Sequence, residues 1–327
     1  MQPAIATGLP GLDEIQLAAD LVYQVMPPTP QYTWPLLNQR AGTEVWVKHE
    51  NHSPVGAFKI RGGLVYMDWL KREHPEVNTV VSATRGNHGQ SIALAASRAG
   101  IRAVIIVPHG NSTEKNNAMR SLGAELVEHG EDFQAALEHA QLLERENGWH
   151  WVPSYHRLLV AGVATYALEF LSAAPQLDTV YVPIGMGSGI CGMVAVRDAL
   201  GLSTRIVGVT SKHAPATVLS LARGGVVEHP VSTRIADGVS CRRPDEGALE
   251  VMRAGVERII EVDDDEVKVA MRVYFADTHN VVEGAGAVGL AGLMRDASRD
   301  GGRVGTVVTG GNVDSHIFAG VLARDRR

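Results

Sequence analysis

The feature that most constrains the fold is a repeated alternation of short apolar segments with longer segments of helical periodicity. The apolar segments, such as NTVVSA, RAVIIVP, DTVYVPIG and GTVVTGG, are bounded by glycine, proline or polar residues. Between them, segments such as EDFQAALEHAQLLEREN and DDEVKVAMRVYFADT place apolar residues at helical spacing. Strands that are apolar throughout are usually buried on both faces. The alternation therefore predicts an α/β fold with parallel sheets covered by helices.

The β-α units between about residues 78 and 150 predict a compact smaller unit inside a larger one. We expect a small domain over residues 77–151 and a large domain formed by residues 1–76 and 152–327. No Pro/Ser-rich linker separates the two segments, so we expect the domains to pack closely.

Composition argues against several classes of function. The net charge of −6 is unsuited to nucleic-acid binding, for which a basic face is expected. No apolar run approaches the roughly 18 residues of a membrane span. The first residues lack the basic start of a secretory signal, and the two cysteines, Cys191 and Cys241, cannot form a disulfide framework. We therefore expect a soluble, cytoplasmic protein that binds neither nucleic acid nor membrane.

The chain's 35 glycines cluster where predicted strands end. Ligands of open parallel sheets bind beyond the carboxyl ends of the strands, so segments 83–89, 185–192 and 309–314 should converge on one cleft. In VYVPIGMGSGICGMVAV a strand should end at Pro183, a glycine loop follows, and we expect a helix to begin around Ile190. This order would suit a phosphate, although a structural turn explains the loop equally well. Asn87 at a helix start would, by itself, be read as a helix cap.

The combination of motifs is more specific than any of its parts. Lys59 in GAFKIRGG, Asn87 in RGNHGQ, the GMGSG loop, EGAGA at 283–287 and TGGNVD at 309–314 occur in this order. Together they resemble the fold-type II pyridoxal-phosphate enzymes, and within them the threonine/serine dehydratase and serine racemase group. The resemblance implies two open, twisted, mostly parallel sheets flanked by helices, with the cofactor in the cleft between the domains.

The resemblance also implies a role for each motif. Lys59 would form the Schiff base with pyridoxal phosphate, Asn87 would bind the ring hydroxyl, and Thr309 would face the pyridine nitrogen. Phe58 and Glu283 would lie near the cofactor. The loop around the cofactor phosphate would consist of Gly185, Met186, Gly187, Ser188 and Gly189. The groups that receive the substrate carboxylate would be those of Thr84, Gly86, Asn87 and His88.

The activity implied by the resemblance is that of a lyase. It would convert a β-hydroxy-α-amino acid, by default threonine or serine, to a 2-oxo acid and ammonia by α,β-elimination. Arg85 stands where the family usually has a small residue, a serine in serine racemases, so we expect no racemase activity. An arginine that faces the cleft could bind a group on the substrate β-carbon, which leaves 3-hydroxyaspartate or phenylserine open. An arginine that faces solvent would have no such role.

Three alternatives stay open at this point. One is a β-replacement enzyme of the cysteine-synthase kind, which usually has a Thr-Ser-Gly-Asn-Thr-type loop where this chain has TRGNHGQ. The others are a nucleotide-binding α/β protein and a non-catalytic amino-acid-binding protein.

The resemblance also bears on metals, assembly and regulation. Thr210, Ala214 and Ala216 stand where many relatives carry acidic metal ligands, so we expect no metal site there. The family resemblance favours a homodimer. Because the sequence ends at Arg327, we expect no regulatory domain of the kind found in biosynthetic threonine dehydratases, and no control by isoleucine.

Overall fold

The structure, a computed structural model, describes residues 8–298 and 301–323. Residues 1–7, 299–300 and 324–327 lie outside the described part. Two of the expectations above depend on residues in these ranges: the one about a secretory signal, on the first residues, and the one about a regulatory domain, on Arg327. No helix in the described part is both long enough and apolar enough to cross a membrane.

The strands form two sheets. They are β1 (Gln31–Thr33), β2 (Val45–His49), β3 (Thr79–Ala83), β4 (Arg102–Val107), β5 (Glu125–Glu128), β6 (His150–Trp151), β7 (Thr179–Pro183), β8 (Arg205–Ser211), β9 (Arg258–Val262) and β10 (Val304–Val308). The larger sheet has the order β1-β2-β10-β7-β8-β9, and the smaller one has the order β5-β4-β3-β6. The pairings between these strands are parallel except for β1 with β2. The predicted α/β fold with two mostly parallel sheets is confirmed.

The helices cover the sheets, as the alternation predicts. They are α1 (Leu12–Tyr23), α2 (Pro35–Ala41), α3 (Lys59–Glu73), α4 (Asn87–Ala99), α5 (Thr113–Ser121), α6 (Phe133–Asn147), α7 (Arg157–Ala173), α8 (Ser188–Ala199), α9 (Ala216–Arg223), α10 (Glu246–Gly255), α11 (Asp264–Thr278), α12 (Gly284–Arg295) and α13 (Ser315–Ala323). Every residue of β3, β7 and β10 is buried, which explains why these strands are apolar on both faces.

The strands of the smaller sheet all fall between residues 79 and 151. This location is compatible with a small domain over residues 77–151, and the division of the chain into domains stays a prediction.

Helix α3 is held closely against α7, and this contact fixes the start of α3. A Cβ on Gly162 would lie 2.3 Å from the carbonyl oxygen of Arg61, so only glycine allows the two backbones to approach this closely. Because Arg61 lies in the first turn of α3, the packing also fixes the direction of Lys59, the first residue of the helix.

A buried ionic cluster stabilises the same region. The Arg61 guanidinium donates to Glu50 at 2.7 Å and to Glu169 at 2.6 Å, and the Lys48 ammonium donates to Glu169 at 2.5 Å. The side chains of Arg61, Glu50 and Lys48 are fully buried, and that of Glu169 is 6% exposed. Two positive and two negative charges compensate each other here, away from water.

Candidate active site

The candidate site lies where three neighbouring strands end. In the larger sheet β10 lies between β2 and β7, and all three run parallel. The segment before α3 follows β2, the glycine loop follows β7, and Thr309 follows β10 directly. The Phe58 N–H donates to the Thr309 carbonyl at 3.0 Å, and the Gly311 N–H donates to the Gly56 carbonyl at 2.9 Å. These two bonds join the segment that precedes Lys59 to the end of β10.

Lys59 presents its amine to the glycine loop. Its Nζ is 3.4 Å from Ser188 Oγ and 5.4 Å from the centre of the Phe58 ring. The side chain keeps some solvent exposure, but the surrounding protein desolvates the amine and lowers its pKa to about 8. No described carboxylate forms an ion pair with it. A lysine of this kind is a good nucleophile near neutral pH.

The loop from Gly185 to Gly189 leads into the start of α8. Gly187, with φ of +105°, is the residue before the helix, and the first intrahelical bond runs from the Cys191 N–H to the Gly187 carbonyl at 2.9 Å. The N–H groups of residues 188–190 are therefore available to an anion. Helix α8 begins at Ser188 instead of near Ile190 as the sequence had suggested, because Gly187 adopts the left-handed conformation.

Close packing also restricts the residues of this loop. A Cβ on Gly185 would lie 2.3 Å from the Gly238 carbonyl oxygen. Met186 contacts Cys241, with 3.5 Å between the two sulfur atoms. Gly189 faces the hydroxyl of Tyr166, which donates to the Gly189 carbonyl at 3.1 Å. The loop is thereby held in one position against its surroundings.

The interpretation of Asn87 as a helix cap is wrong. Gly86 occupies the capping position, and Asn87 is the first residue of α4. The Asn87 amide instead crosses the cleft: its Nδ2 donates to Glu283 Oε1 at 2.6 Å, and its Oδ1 accepts from Asn312 Nδ2 at 2.8 Å. Glu283 is buried, and burial raises the pKa of its carboxyl group. The three side chains form a polar bridge between α4 and the end of β10.

The loop before α4 brings the other predicted substrate groups together. Thr84 is buried, and its Oγ1 accepts from the Gly86 N–H at 3.1 Å. The first intrahelical bond runs from Gln90 to Gly86, which leaves the N–H groups of residues 87–89 available. Burial and the nearby charge of Lys59 lower the pKa of His88 to about 3, so His88 is neutral. Its buried Nε2 has no hydrogen-bond partner among the described residues.

Arg85 belongs to the same loop and is exposed. It lines a cavity of about 290 Å³ that is also bordered by Glu283 and Asn312. Arg85 is thus both exposed and at the edge of the cavity, and its role stays a prediction. Lys59 does not line this cavity, which adjoins the site on the side of Asn87.

Thr309 is the residue that directly follows β10. It is buried, and its hydroxyl donates to the Ala285 carbonyl at 3.4 Å. The Gly310 that follows packs on the polar bridge, because a Cβ there would lie 2.4 Å from Glu283 Oε1.

Two residues of the site were not assigned a role from the sequence. Asn312 was visible in the TGGNVD motif, but its bond to Asn87 depends on the fold. Lys115, at the start of α5, packs its side chain against Gly86 and lies 3.6 Å from Asp237. No local pattern distinguishes this lysine from a solvated one.

A metal site is not apparent within the described ranges. There, no group of three or more His, Cys, Asp or Glu side chains is placed to hold a metal ion. The absence of a metal near Thr210, Ala214 and Ala216 stays a prediction.

The residues present fit pyridoxal phosphate. Lys59 supplies an amine with a lowered pKa for the aldehyde, and the start of α8 supplies unpaired N–H groups for the phosphate. Asn87 Nδ2 keeps one hydrogen after its bond to Glu283, which suits an acceptor on the ring. Thr309 supplies a neutral hydroxyl. The cofactor contacts predicted for these residues, and for Phe58, Met186 and Glu283, stay predictions.

Comparisons with known proteins agree with this arrangement. A family profile described as "Pyridoxal-phosphate dependent enzyme" matches residues 22–310. A biosynthetic L-threonine dehydratase from Haemophilus influenzae is 30% identical over 307 residues, which cover 93% of this chain and 60% of that protein. An L-threonine ammonia-lyase from Geobacter sulfurreducens is 33% identical over 289 residues, which cover 88% of this chain and 72% of that protein.

Solved structures show the same likeness. The maize serine racemase has a TM-score of 0.89 and 27% identity, covering 96% of this chain and 97% of that one. The chain spans about 60% of the length of the first curated relatives that it matches. The resemblance drawn from Lys59, Asn87, the glycine loop and Thr309 is thus confirmed, and the chain belongs to the family of pyridoxal-phosphate-dependent enzymes.

Proposed function

We propose that this chain is a pyridoxal-phosphate-dependent dehydratase that converts a β-hydroxy-α-amino acid, threonine- or serine-like, to a 2-oxo acid and ammonia. The observation that carries the proposal is the desolvated Lys59 amine, which lies beside the start of α8 in a chain of this family. The curated relatives named above, a threonine dehydratase and a threonine ammonia-lyase, support the reaction type.

Lys59 has two tasks in the proposed reaction. It would hold the cofactor, and its free, neutral Nζ would take the proton from the substrate α-carbon. Bound pyridoxal phosphate supplies the electron sink for the negative charge that develops at that carbon. The hydroxyl then leaves the β-carbon. Water is lost in this step and regained when the released unsaturated amine hydrolyses, so the products are one 2-oxo acid and one ammonia.

The other residues orient the reactants. The N–H groups of residues 87–89 and the neutral His88 would receive the substrate carboxylate at the positive end of α4. Asn312 fixes the orientation of the Asn87 amide by donating to its Oδ1, which turns Nδ2 toward Glu283. The second N–H of Nδ2 would then bind the ring hydroxyl. Thr309 offers the ring nitrogen a hydroxyl instead of a carboxylate. A neutral partner does not stabilise a protonated ring nitrogen, which favours elimination over transamination.

Lys59→Ala tests the proposal. The variant should lose the visible absorbance of lysine-bound cofactor and the release of 2-oxo acid from threonine and serine. Lys212→Ala is the matched control, because Lys212 is partly exposed and pairs with Asp263 at 3.2 Å, away from the site. If the wild-type protein binds the cofactor but releases no 2-oxo acid from any β-hydroxy-amino acid, the dehydratase assignment fails. If Lys59→Ala retains full activity, the role of Lys59 fails.

Our expectations about assembly, cellular location and metal binding rest on the family resemblance and on the composition. The homodimer, the cytoplasmic location and the absence of a metal stay predictions. Sedimentation of the purified protein would measure the first of them.

A further inference from the structure

The cavity beside Asn87 is lined by three cationic side chains, those of Arg85, Lys115 and Arg234, and by three acidic ones. Each of the three acids has a partner. Asp237 is 3.6 Å from the Lys115 ammonium, Asp314 accepts from Ser112 at 2.5 Å, and Glu283 accepts from Asn87. Burial also raises the pKa of the Glu283 carboxyl group.

Two arginines in the same cavity have no such partner. The guanidinium groups of Arg85 and Arg234 form no hydrogen bond and no ion pair with any side chain or backbone group in the described ranges, and both residues are exposed. A guanidinium group binds carboxylate or phosphate oxygens through two parallel hydrogen bonds, which makes an anion the natural ligand of such a group.

The position of Arg85 relates this charge to the substrate. Arg85 belongs to the loop whose neighbouring N–H groups, those of residues 87–89, would hold the α-carboxylate. Its side chain leaves that loop toward the cavity, while Lys59 lies outside the cavity lining. We therefore expect the substrate α-carboxylate and α-carbon to lie between this loop and Lys59, outside the cavity. The group that the substrate carries at its β-carbon would then enter the cavity.

We infer that the substrate carries a second anionic group, a carboxylate or a phosphate, at its β-carbon, and that Arg85 binds it with Arg234 nearby. This inference rests on the proposed function, because it names the substrate class of that site. The cavity of about 290 Å³ lies at the small end of ligand pockets, which suits a compact charged group. The rival is a phenyl group, for which Ile235, Val313 and Ile317 provide an apolar surface.

Binding can be measured without elimination. The cofactor-loaded protein is titrated with L-aspartate and with L-asparagine, which have nearly the same shape and lack the hydroxyl group, and the change in cofactor absorbance is followed. The wild type should bind aspartate at least about tenfold more tightly, the effect of one charge-assisted contact. Arg85→Gln should abolish this preference, and Arg234→Gln should reduce it. Arg98→Gln, an exposed arginine of α4, should preserve it.

Turnover then separates the two kinds of anion. Release of 2-oxo acid is compared for 3-hydroxyaspartate against threonine, both of which lose water, and for O-phosphoserine, which loses phosphate in place of water, against serine. Phenylserine represents the rival. Arg85→Gln should lower kcat/KM for the dianionic substrates about 10- to 100-fold and change that for threonine by less than about threefold.

The outcomes that overturn the inference are distinct from those that overturn the proposed function. A wild-type protein that binds asparagine as well as aspartate refutes a second anionic group. An Arg85→Gln protein that loses affinity equally for both ligands means that Arg85 binds the α-carboxylate, which also refutes it. A protein that prefers aspartate but eliminates water from no substrate refutes the dehydratase and leaves the anionic ligand standing.

Discussion

The buried ionic cluster allows a quantitative prediction about stability. Glu169 accepts from the Lys48 ammonium at 2.5 Å and from the Arg61 guanidinium at 2.6 and 3.0 Å. Glu169→Gln keeps the size of the side chain but removes its charge, and it leaves two buried cations facing Glu50 alone. Breaking a buried pair in this way costs about 3–5 kcal/mol of the free energy of unfolding. For a chain of 327 residues this corresponds to a decrease in Tm of about 4–7 °C.

The matched control is an exposed ion pair of similar length. Glu125 lies 2.5 Å from Arg102, and both side chains are about half exposed. Glu125→Gln should therefore cost at most about 1 kcal/mol. Both variants are compared with the wild type by thermal and urea unfolding of the cofactor-loaded protein. If Glu169→Gln destabilises the protein no more than Glu125→Gln does, burial does not determine how much an ion pair contributes to the free energy of unfolding. That result would refute the prediction.

The same cluster predicts a dependence of stability on pH. Its cations lower the pKa of Glu169 in the folded state, although burial alone would raise it. A carboxyl group with a lowered pKa contributes stability above its unfolded pKa of about 4.3, and this contribution is lost as the pH falls below that value. Glu169→Gln should therefore show a smaller loss of stability than the wild type when the pH is lowered through this range.

Three further predictions concern the site. Cofactor-free protein should take up pyridoxal phosphate faster as the pH rises through about 8, because the pKa of Lys59 is lowered to about 8 and only the neutral amine is nucleophilic. Gly185→Ala should weaken cofactor binding at least about tenfold in Kd, since the added Cβ would lie 2.3 Å from a carbonyl oxygen. Asn312→Asp should shift the cofactor absorbance and lower kcat, since a carboxylate would then face Asn87 Oδ1 in place of a donor.

These predictions have controls within the chain. Gly225 has open space around its Cβ position and no positive φ, so Gly225→Ala should leave cofactor binding unchanged. Asn117 is exposed, and Asn117→Asp should leave both absorbance and kcat unchanged. An uptake rate that does not vary between about pH 7 and 9 would show that the Lys59 proton does not limit the reaction.

Much of the architecture followed from local patterns. Strands buried on both faces must be apolar throughout, so β3, β7 and β10 could be recognised from the sequence, and their order with helices predicted parallel sheets. The three-residue β1 carries no such pattern, and it is the strand that pairs antiparallel. The start of α8 was misplaced by two residues because the left-handed conformation of Gly187 is a property of the folded loop.

The candidate site was predictable only in part. The motifs that contain Lys59, Asn87 and Thr309 could be recognised because each one follows a strand or begins a helix. Their partners could not be recognised, because the Asn87–Glu283 and Asn87–Asn312 bonds join residues 196 and 225 positions apart. The interpretation of Asn87 as a helix cap considered only its own segment of the sequence. In the fold, the Asn87 side chain bonds to Glu283 and Asn312 instead of to the backbone N–H groups of α4.

The most direct test of the account is to locate the lysine that carries the cofactor. The cofactor-loaded protein is reduced with borohydride, digested, and mapped by mass spectrometry. We predict a pyridoxyl group on Lys59, the lysine whose desolvated amine lies beside Ser188. A pyridoxyl group on another lysine, such as Lys48 or Lys115, or no modified peptide at all, would contradict the central claim.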